Sequence, residues 1–363
     1  MRTYVAEKEA LIANIQIIQR QADGVPVWAV VKGDGYGLGA VPLARLLRDQ
    51  GITRFCVTEV SEARALREAG FADERILMLQ PTTDRAVLEA LLDLNVICTI
   101  STQDGAVALN GIAAGRDMVA EAHIKLDTGM GRYGFRPEEF NQIAAIYQYM
   151  DHIAVSGIYT HFSSAFCSEK RTREQFEQFQ ILLDKLAGRG YETGEAHCCN
   201  SAALFRWPEM RMNGVRVGSA LLGRLSVKGN FGLRRVGCCE TAVTELHRLS
   251  KGGSTGYGGA WRARKEPRLA ILPVGWYHGF GTEYGRDSFR FRDCVRGTLS
   301  LLKAWLTKRR LYVRVNGQRC PVRGHVGMLH CAVDVSKIEC HTGDQAVLDI
   351  SPLMQKGMEV VFR

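Results

Sequence analysis

No stretch of the 363-residue chain approaches 18 consecutive apolar residues, so a transmembrane helix is not expected. The opening MRTYVAEKEA lacks the apolar core of a signal peptide. The chain is therefore expected to be soluble and unprocessed, to reside in the cytoplasm and to make no membrane contact of its own. No CxxC pair occurs, and the neighbours Cys198-Cys199 and Cys238-Cys239 lack the two-residue gap of paired metal ligands. No metal site is expected. The eleven cysteines are odd in number, and in a long chain without a secretion signal they point to reduced thiols rather than a disulfide framework. Proline (9) and glycine (38) are too few and too scattered for a fibrous or linker-like protein.

What remains is a globular balance, with 46% apolar and 23% charged residues, in a chain long enough for two domains. The net charge of +9 is concentrated in one place: from Arg286 to Arg323 there are 11 basic residues against two acidic ones. Such a run invites a nucleic-acid reading. Against it, no base-stacking motif accompanies the run, and its charges interleave with apolar residues (FRFRDCVRG, LYVRV) as solvated faces of strands and a helix would. No nucleic-acid partner is expected.

After a helical opening from Glu7 to Ala22, eight short β-rich runs alternate with amphipathic helical stretches. The runs are VWAVVK (27–32), RFCVTE (54–59), RILML (75–79), VICTIS (96–101), EAHIKLD (121–127), VSGIYTHF (155–162), GEAHCCN (194–200) and VRVGSALLG (215–223). Eight β-α units in one region predict an α/β fold, a (β/α)8 TIM barrel over residues 1–235. From 236 to 363 the pattern turns β-branched and turn-rich, predicting a C-terminal all-β domain with a hairpin at Asn316-Gly317. Residues 283–310 read as an insertion containing a short helix, SLLKAWLTK.

In a β/α barrel, chemistry gathers where strands end and loops begin. The first run ends in Lys32, followed by a glycine-rich turn bearing Tyr36. A lysine there either snorkels, pairs, or serves as a nucleophile toward a carbonyl cofactor. The fifth run leads into DTGMGRYGF, which puts Lys125, Asp127, Thr128 and Arg132 at one mouth. The eighth offers Arg216, then Gly218 and Ser219 with free backbone N–H groups. Between them come His161 and the HCCNSAA stretch with Asn200 and Ser201, opening a helix where an anion is favoured. Each residue has an ordinary structural alternative: salt-bridged surface arginines, a hydrogen-bonded core histidine, a serine N-cap. That all fall at strand ends favours a site.

These residues resemble the alanine racemase family of fold-type III pyridoxal-phosphate enzymes. VVKxxxYGxG, DTGMGRxGF, THF, NSAA, VRxGxxxxG, a small-domain YGxxW and a PxGxxxG run appear in order across nearly the whole chain. GHVGMLH and the C-terminal DISPLM look most like the racemase domain of serine/alanine racemases from vancomycin-resistance clusters. The resemblance implies racemization of alanine, and of serine too, with pyridoxal 5'-phosphate as cofactor and a small amino acid as substrate. It implies a homodimer with shared active sites.

By the same resemblance Lys32 holds the cofactor covalently and is one of two bases, and Tyr257 is the other. Racemization needs a proton removed from one face of Cα and returned on the opposite face, hence two groups. A tyrosine, with a reference pKa near ~10, needs positive neighbours to act as a base. Arg216 faces the pyridine nitrogen and keeps it unprotonated, with His161 buttressing the guanidinium. Tyr36, Asn200, Ser201, Gly218 and Ser219 complete the cofactor site, chiefly around its phosphate. Arg132 and Met328 contact the substrate, and Lys125 matches a lysine often carbamylated in relatives.

The chain departs from the family pattern at Met328-Leu329, where Met-Asp is common, and at Tyr277-His278, where an Asp is common. Ser351 aligns with the family's inner-gate tyrosine. Two other functions share parts of the pattern: a non-catalytic pyridoxal-phosphate carrier and a fold-type III amino-acid decarboxylase. A carrier has no use for a β domain with Tyr257. The DTGMGR and TGYG motifs speak against the decarboxylase.

Overall fold

The computed structural model describes residues 2–282, 291–307 and 311–363. Contacts divide the chain into two units, Lys8–Val236 on one side and Met1–Glu7 with Gly237–Arg363 on the other. The chain opens with β1 (Thr3–Ala6), which belongs to the second unit. The opening helix follows as Lys8–Ala22.

The first unit carries eight strands: β2 (Val27–Val30), β3 (Arg54–Val57), β4 (Arg75–Met78), β5 (Cys98–Ile100), β6 (Ala120–Lys125), β7 (Ile153–Tyr159), β8 (Glu195–His197) and β9 (Val215–Val217). They pair in parallel as β4-β3-β2-β9 and β5-β6-β7-β8. Single bridges, Leu77 to Ile97 and Cys199 to Val215, join the two sets into a closed ring. Parallel strands buried on both faces read as continuous apolar runs, and all four residues of β2 (VWAV) are buried. The intervening helices turn one stripe inward: Ala40–Asp49 buries Ala40, Leu43, Ala44 and Leu47, the i, i+3, i+4, i+7 positions. Asp84, Thr102 and Ser168 cap three of these helices by accepting from backbone N–H groups.

The barrel interior holds Trp28, Val30, Cys56, Leu77 and Ile97, with Tyr36 and Leu79 packed against them. Toward the strand starts, Glu195 accepts from Trp28 Nε1 (2.5 Å) and from Arg54 (2.5 Å), and pairs with Arg75 (3.3 Å). Arg75 also reaches Glu121. Ion pairs thus close the end of the barrel opposite to the mouth where strands give way to loops.

Every expected strand is present, but most end earlier than the residue types suggest. VWAVVK stops at Val30, leaving Lys32 beyond the strand, and VRVGSALLG contributes only Val215–Val217. The reason is local: from Gly218 the backbone coils, with Leu221, Leu222 and Gly223 N–H groups bonding the carbonyls of Gly218, Ser219 and Ala220.

The second unit adds β10 (Cys238–Ala242), β11 (Glu245–Arg248), β12 (Ser254–Thr255), β13 (Trp261–Arg262), β14 (Arg268–Leu272), β15 (Tyr312–Val315), β16 (Gln318–Arg323), β17 (Cys331–Asp334), β18 (Gln345–Leu348) and β19 (Glu359–Phe362). Nine strands form one sheet in the order β11-β14-β17-β16-β15-β18-β10-β1-β19, and β12-β13 form a ribbon. No element was expected at TYVA, which forms the first strand. It is covered on both edges, antiparallel to β10 and parallel to β19. At the NG hairpin, Val315 faces Gln318 and both turn residues have positive φ, 50° for Asn316 and 75° for Gly317, the primed turn that matches strand twist. Of the expected insertion, 283–290 and 308–310 lie outside the described residues. The helix within it runs Phe291–Leu306, longer than SLLKAWLTK, and buries none of its residues.

Candidate functional site

The mouth of the barrel is built around a turn of rare hand. Directly after Lys32, residues Gly33, Asp34, Gly35 and Tyr36 all take left-handed conformations with φ between 49° and 64°. Two glycines make this tolerable, but Asp34 and Tyr36 do so at a cost. Glu62 anchors the turn, because its carboxylate accepts from Asp34 N–H (3.1 Å) as well as from Thr58 and Glu59 N–H. Asp34 in turn accepts from Ala40 N–H at 2.8 Å. Strain of this kind fixes a side chain where ordinary backbone would not carry it. Here it swings the Tyr36 hydroxyl onto Gly218: a Cβ at Gly218 would stand 2.1 Å from that oxygen. Gly218 is therefore the residue that makes room.

Ser201 Oγ faces the same place, accepting long bonds from Gly218 N–H (3.2 Å) and Ala220 N–H (3.5 Å). Two hydroxyls and the coiled backbone at Gly218-Ser219 thus converge, and an oxyanion-bearing group of phosphate type suits such a cradle. A glycine whose missing Cβ admits a tyrosine hydroxyl, beside a strand-end lysine, fits the phosphate and carbonyl ends of pyridoxal 5'-phosphate.

Arg216, on β9, is buried. Its guanidinium donates to His197 Nδ1 (2.6 Å), the His197 carbonyl (2.8 Å) and the Thr160 carbonyl (2.5 Å), and it lies over the Tyr159 ring. The role expected of His161 therefore belongs to His197. The reason is placement: His197 ends β8, joined to the start of β9, whereas His161 lies past the end of β7. Since Arg216 donates to Nδ1, His197 carries its proton on Nε2 and gives it to His123 Nδ1 at 2.9 Å. Burial, then the Arg216 charge, hold His197 well below the usual histidine range, and burial with Arg75 and Arg216 takes His123 down to about 3. His161 is held low by burial and by Arg216 and Lys125.

Asn200, expected at the cofactor, makes its bonds here within the chain. Its amide oxygen caps the short helix Ser201–Leu204 through Ala202 and Ala203 N–H, and its NH2 donates to the Phe162 carbonyl. All of these are structural bonds, so Asn200 rather than Ser201 is the cap, and Ser201 is left to face Gly218.

Cations crowd the rest of the mouth. Lys125, 5% exposed at the end of β6, is pushed down to about 7 by burial and then by the charges of Arg132 and Arg216. Its ammonium lies over the rings of Tyr133 and Tyr159. Lys32 is lowered by burial and by Arg132. Asp127 organises the loop between them. Partial burial acts to raise its carboxyl, but bonds from Gly129, Gly131, Met130 and Arg132 N–H hold it below its usual range. Arg132 itself is exposed.

The second unit presents its predicted residues differently. Tyr257, in a glycine turn, is 79% exposed, and it rims a cavity of about 340 Å³ with Arg323, His325 and His330. Arg323 pairs with Asp334 (2.7 Å) and stacks on Trp261, which steadies that turn. Met328 and Leu329 are exposed. Ser351 is half-buried and its carbonyl accepts from Met354 N–H (2.9 Å). His278, where the family pattern has an acid nearby, is buried and accepts from Gly275 N–H.

His197, His123, Thr160 and Glu62 were missed from the sequence. A signal existed for the histidines: each sits inside a predicted strand, His123 between Ala122 and Ile124 and His197 between Ala196 and Cys198, and a buried imidazole needs a partner.

Comparison with known proteins gives one answer. Residues 7–226 match the family described as alanine racemase, N-terminal domain, and residues 236–352 match alanine racemase, C-terminal domain. The alanine racemase of Clostridium tetani is 33% identical over 348 residues, 94% of this chain and 84% of the relative. That of Desulforamulus reducens is 33% identical over 94% of this chain and 87% of the relative. Among solved structures, the alanine racemase of E. faecalis is similar with a TM-score of 0.82 at 25% identity, covering 100% of this chain and 98% of that one. The enzyme from Streptomyces lavendulae shares the fold with a TM-score of 0.85 at 22% identity, over 100% and 97%.

Proposed function

Since the chain belongs to the alanine racemase family, we propose a residue-level account of how it racemizes alanine with pyridoxal 5'-phosphate. Its class is that of a pyridoxal-phosphate-dependent racemase, an isomerase acting on a small amino acid. When bound, the cofactor draws electrons from the substrate Cα and acidifies its proton. The chain's own residues then have four tasks: hold the cofactor, orient the carboxylate, and move a proton at each face of Cα.

Lys32 is the covalent anchor and the base of one face. The reading is supported by its half-buried place, which with the charge of Arg132 lowers its proton affinity, as suits an amine that must attack a carbonyl. Tyr36, Ser201 and the backbone of Gly218 and Ser219 hold the phosphate. Arg216, pinned by His197 and Thr160, presents a fixed cation to the pyridine nitrogen, and a guanidinium yields no proton there. Arg132 orients the substrate carboxylate, with Met328 of the other subunit beside it. Tyr257 serves the opposite face. Its exposure in the single chain supports a homodimer in which each subunit's Tyr257 completes the partner's barrel mouth.

Lys125 is the candidate for carbamylation. Its uncharged amine adds to carbon dioxide and releases one proton, leaving a carbamate anion among Arg132, Arg216 and Lys32. We place the protein in the cytoplasm, among reduced thiols. We further propose serine as a second substrate, on the strength of Ser351.

The observation that carries the account is the Tyr36 hydroxyl seated on Gly218 directly after the strand-end lysine. Borohydride reduction of the cofactor-loaded enzyme followed by peptide mass spectrometry is expected to find the label on Lys32. A label on any other lysine refutes the assignment.

A further inference from the structure

The helix Phe291–Leu306 serves none of this chemistry, and its layout is unusual for a helix on a water-soluble unit. At 100° per residue, Phe291, Val295, Leu299, Leu302, Trp305 and Leu306 fall within one apolar arc, about 160° wide when Leu301 is included. An ordinary surface helix turns such an arc inward. Here it faces out: Phe291 is 84% exposed, Trp305 75% and Leu302 51%. The partly covered positions are Asp293, Gly297 and Ala304, on the far side of the helix from that arc. Contiguous apolar surface of this kind marks an interaction site.

Charge identifies the partner. Arg292, Lys303 and Arg296 fall side by side along one flank of the arc, and the helix's sole acid, Asp293, lies away from it, 3.9 Å from Arg296. No acidic flank answers the basic one. A second copy seated on this face would bring the same excess of cations, three against the one acid paired with Arg296. A surface of anionic headgroups over an apolar layer supplies both missing halves at once, taking up the arc and neutralising the flank. Phe291 and Trp305, near the two ends, suit the headgroup boundary.

We propose that Phe291–Leu306 is an in-plane anchor that holds the enzyme reversibly on an anionic lipid bilayer. This proposal departs from the sequence-based expectation of no membrane contact. A single amphipathic helix with three cations gives weak, salt-sensitive attachment.

Flotation of the full-length enzyme with vesicles tests this. Vesicles of phosphatidylcholine with one-third phosphatidylglycerol should carry the enzyme upward, while pure phosphatidylcholine vesicles should carry much less. Leu302→Glu with Trp305→Glu should abolish flotation and leave racemase turnover unchanged, which also shows that the variant is folded. Arg292→Gln, Arg296→Gln and Lys303→Gln together should weaken partitioning by roughly a hundredfold, from about 1 kcal/mol per cation near an anionic surface. Equal flotation of the wild type and the Glu variant overturns the proposal, as does failure to float on anionic vesicles. A change of oligomeric state in the Glu variant also overturns it, by showing the face to be a subunit contact.

Discussion

The barrel mouth and the exposed face of the β unit carry the two proposed bases under opposite conditions. At the mouth, Arg216 and Lys125 are buried, and the guanidinium is bonded to two carbonyls and an imidazole within its own unit. On the β unit, Tyr257, Met328 and Trp276 stand in solvent. A half-site that is finished alone and a half-site that is not teach different things. The first is held by folding, and its residues are tied into stability. In the proposed homodimer the second would gain its environment from association, and its exposed side chains are little tied into the fold.

The largest effect expected from this contrast is in activity. Lys32→Ala and Tyr257→Phe should each reduce kcat/KM by roughly a thousandfold or more, as loss of a proton-transferring group does. Mixed in equal amounts and allowed to exchange, the two inactive proteins should recover about a quarter of wild-type activity, because half the dimers are mixed and each holds one intact site. Native mass spectrometry verifies the mixed dimers. No recovery in them refutes a shared site and breaks the comparison.

Next comes stability. Arg216→Ala strands the Nδ1 of His197 and two buried carbonyls, so urea unfolding should show a loss on the order of 3 kcal/mol. Tyr257→Phe removes an exposed hydroxyl and should stay within about 0.5 kcal/mol. Equal losses for the two variants, measured at a protein concentration low enough to favour single chains, erase the distinction between the half-sites.

The same contrast governs what the sequence disclosed. The eight strands were legible because a parallel barrel buries continuous β-branched runs between amphipathic helices, a pattern that period and composition report. Lys32, Arg216 and Gly218 were legible as strand-end residues. Partnership was not. His197 takes the place given to His161 because β8 adjoins β9 in the closed ring, and ring order is a long-range fact. That Asn200 caps Ser201–Leu204 was not legible either, because capping and ligation use the same amide. β1 was missed because its four residues are a strand only by virtue of β10 and β19, more than 200 positions away.

A smaller effect separates the half-sites by pH. Lys125, pushed down to about 7 in the folded chain against an ordinary value of 10.5, binds fewer protons folded than unfolded between those limits. Its contribution to stability is therefore fully present above about 10.5 and is lost as pH falls toward 7. The chain without cofactor should gain stability as pH rises through that window, and Lys125→Met should flatten the gain in urea titrations. Under labelled bicarbonate, a carbamate carbon signal should appear above about pH 7 and fade below it. No signal at any pH removes the carbamate from the account.

The smallest effect lies on the β unit, at the substrate's side chain. Ser351 is proposed to replace the family's bulky gate tyrosine, and its backbone is fixed by the turn that follows, since its carbonyl accepts from Met354 and Gln355 N–H. Its hydroxyl caps no helix in that turn and remains available. Exchanging a tyrosine for a serine opens space for one more oxygen on the substrate and offers that oxygen a partner. An apolar pocket rejects an added hydroxyl by only about a hundredfold, so removal of a steric gate is enough to bring serine near alanine in preference. The measurement is kcat/KM for L-serine and L-alanine in the native enzyme and in Ser351→Tyr. The native enzyme should turn over both, and the substitution should lower the serine-to-alanine ratio by roughly tenfold while leaving alanine turnover and stability close to native. A native ratio strongly favouring alanine that the substitution leaves unmoved rules Ser351 out as the gate, and with it the claim that this face selects the substrate.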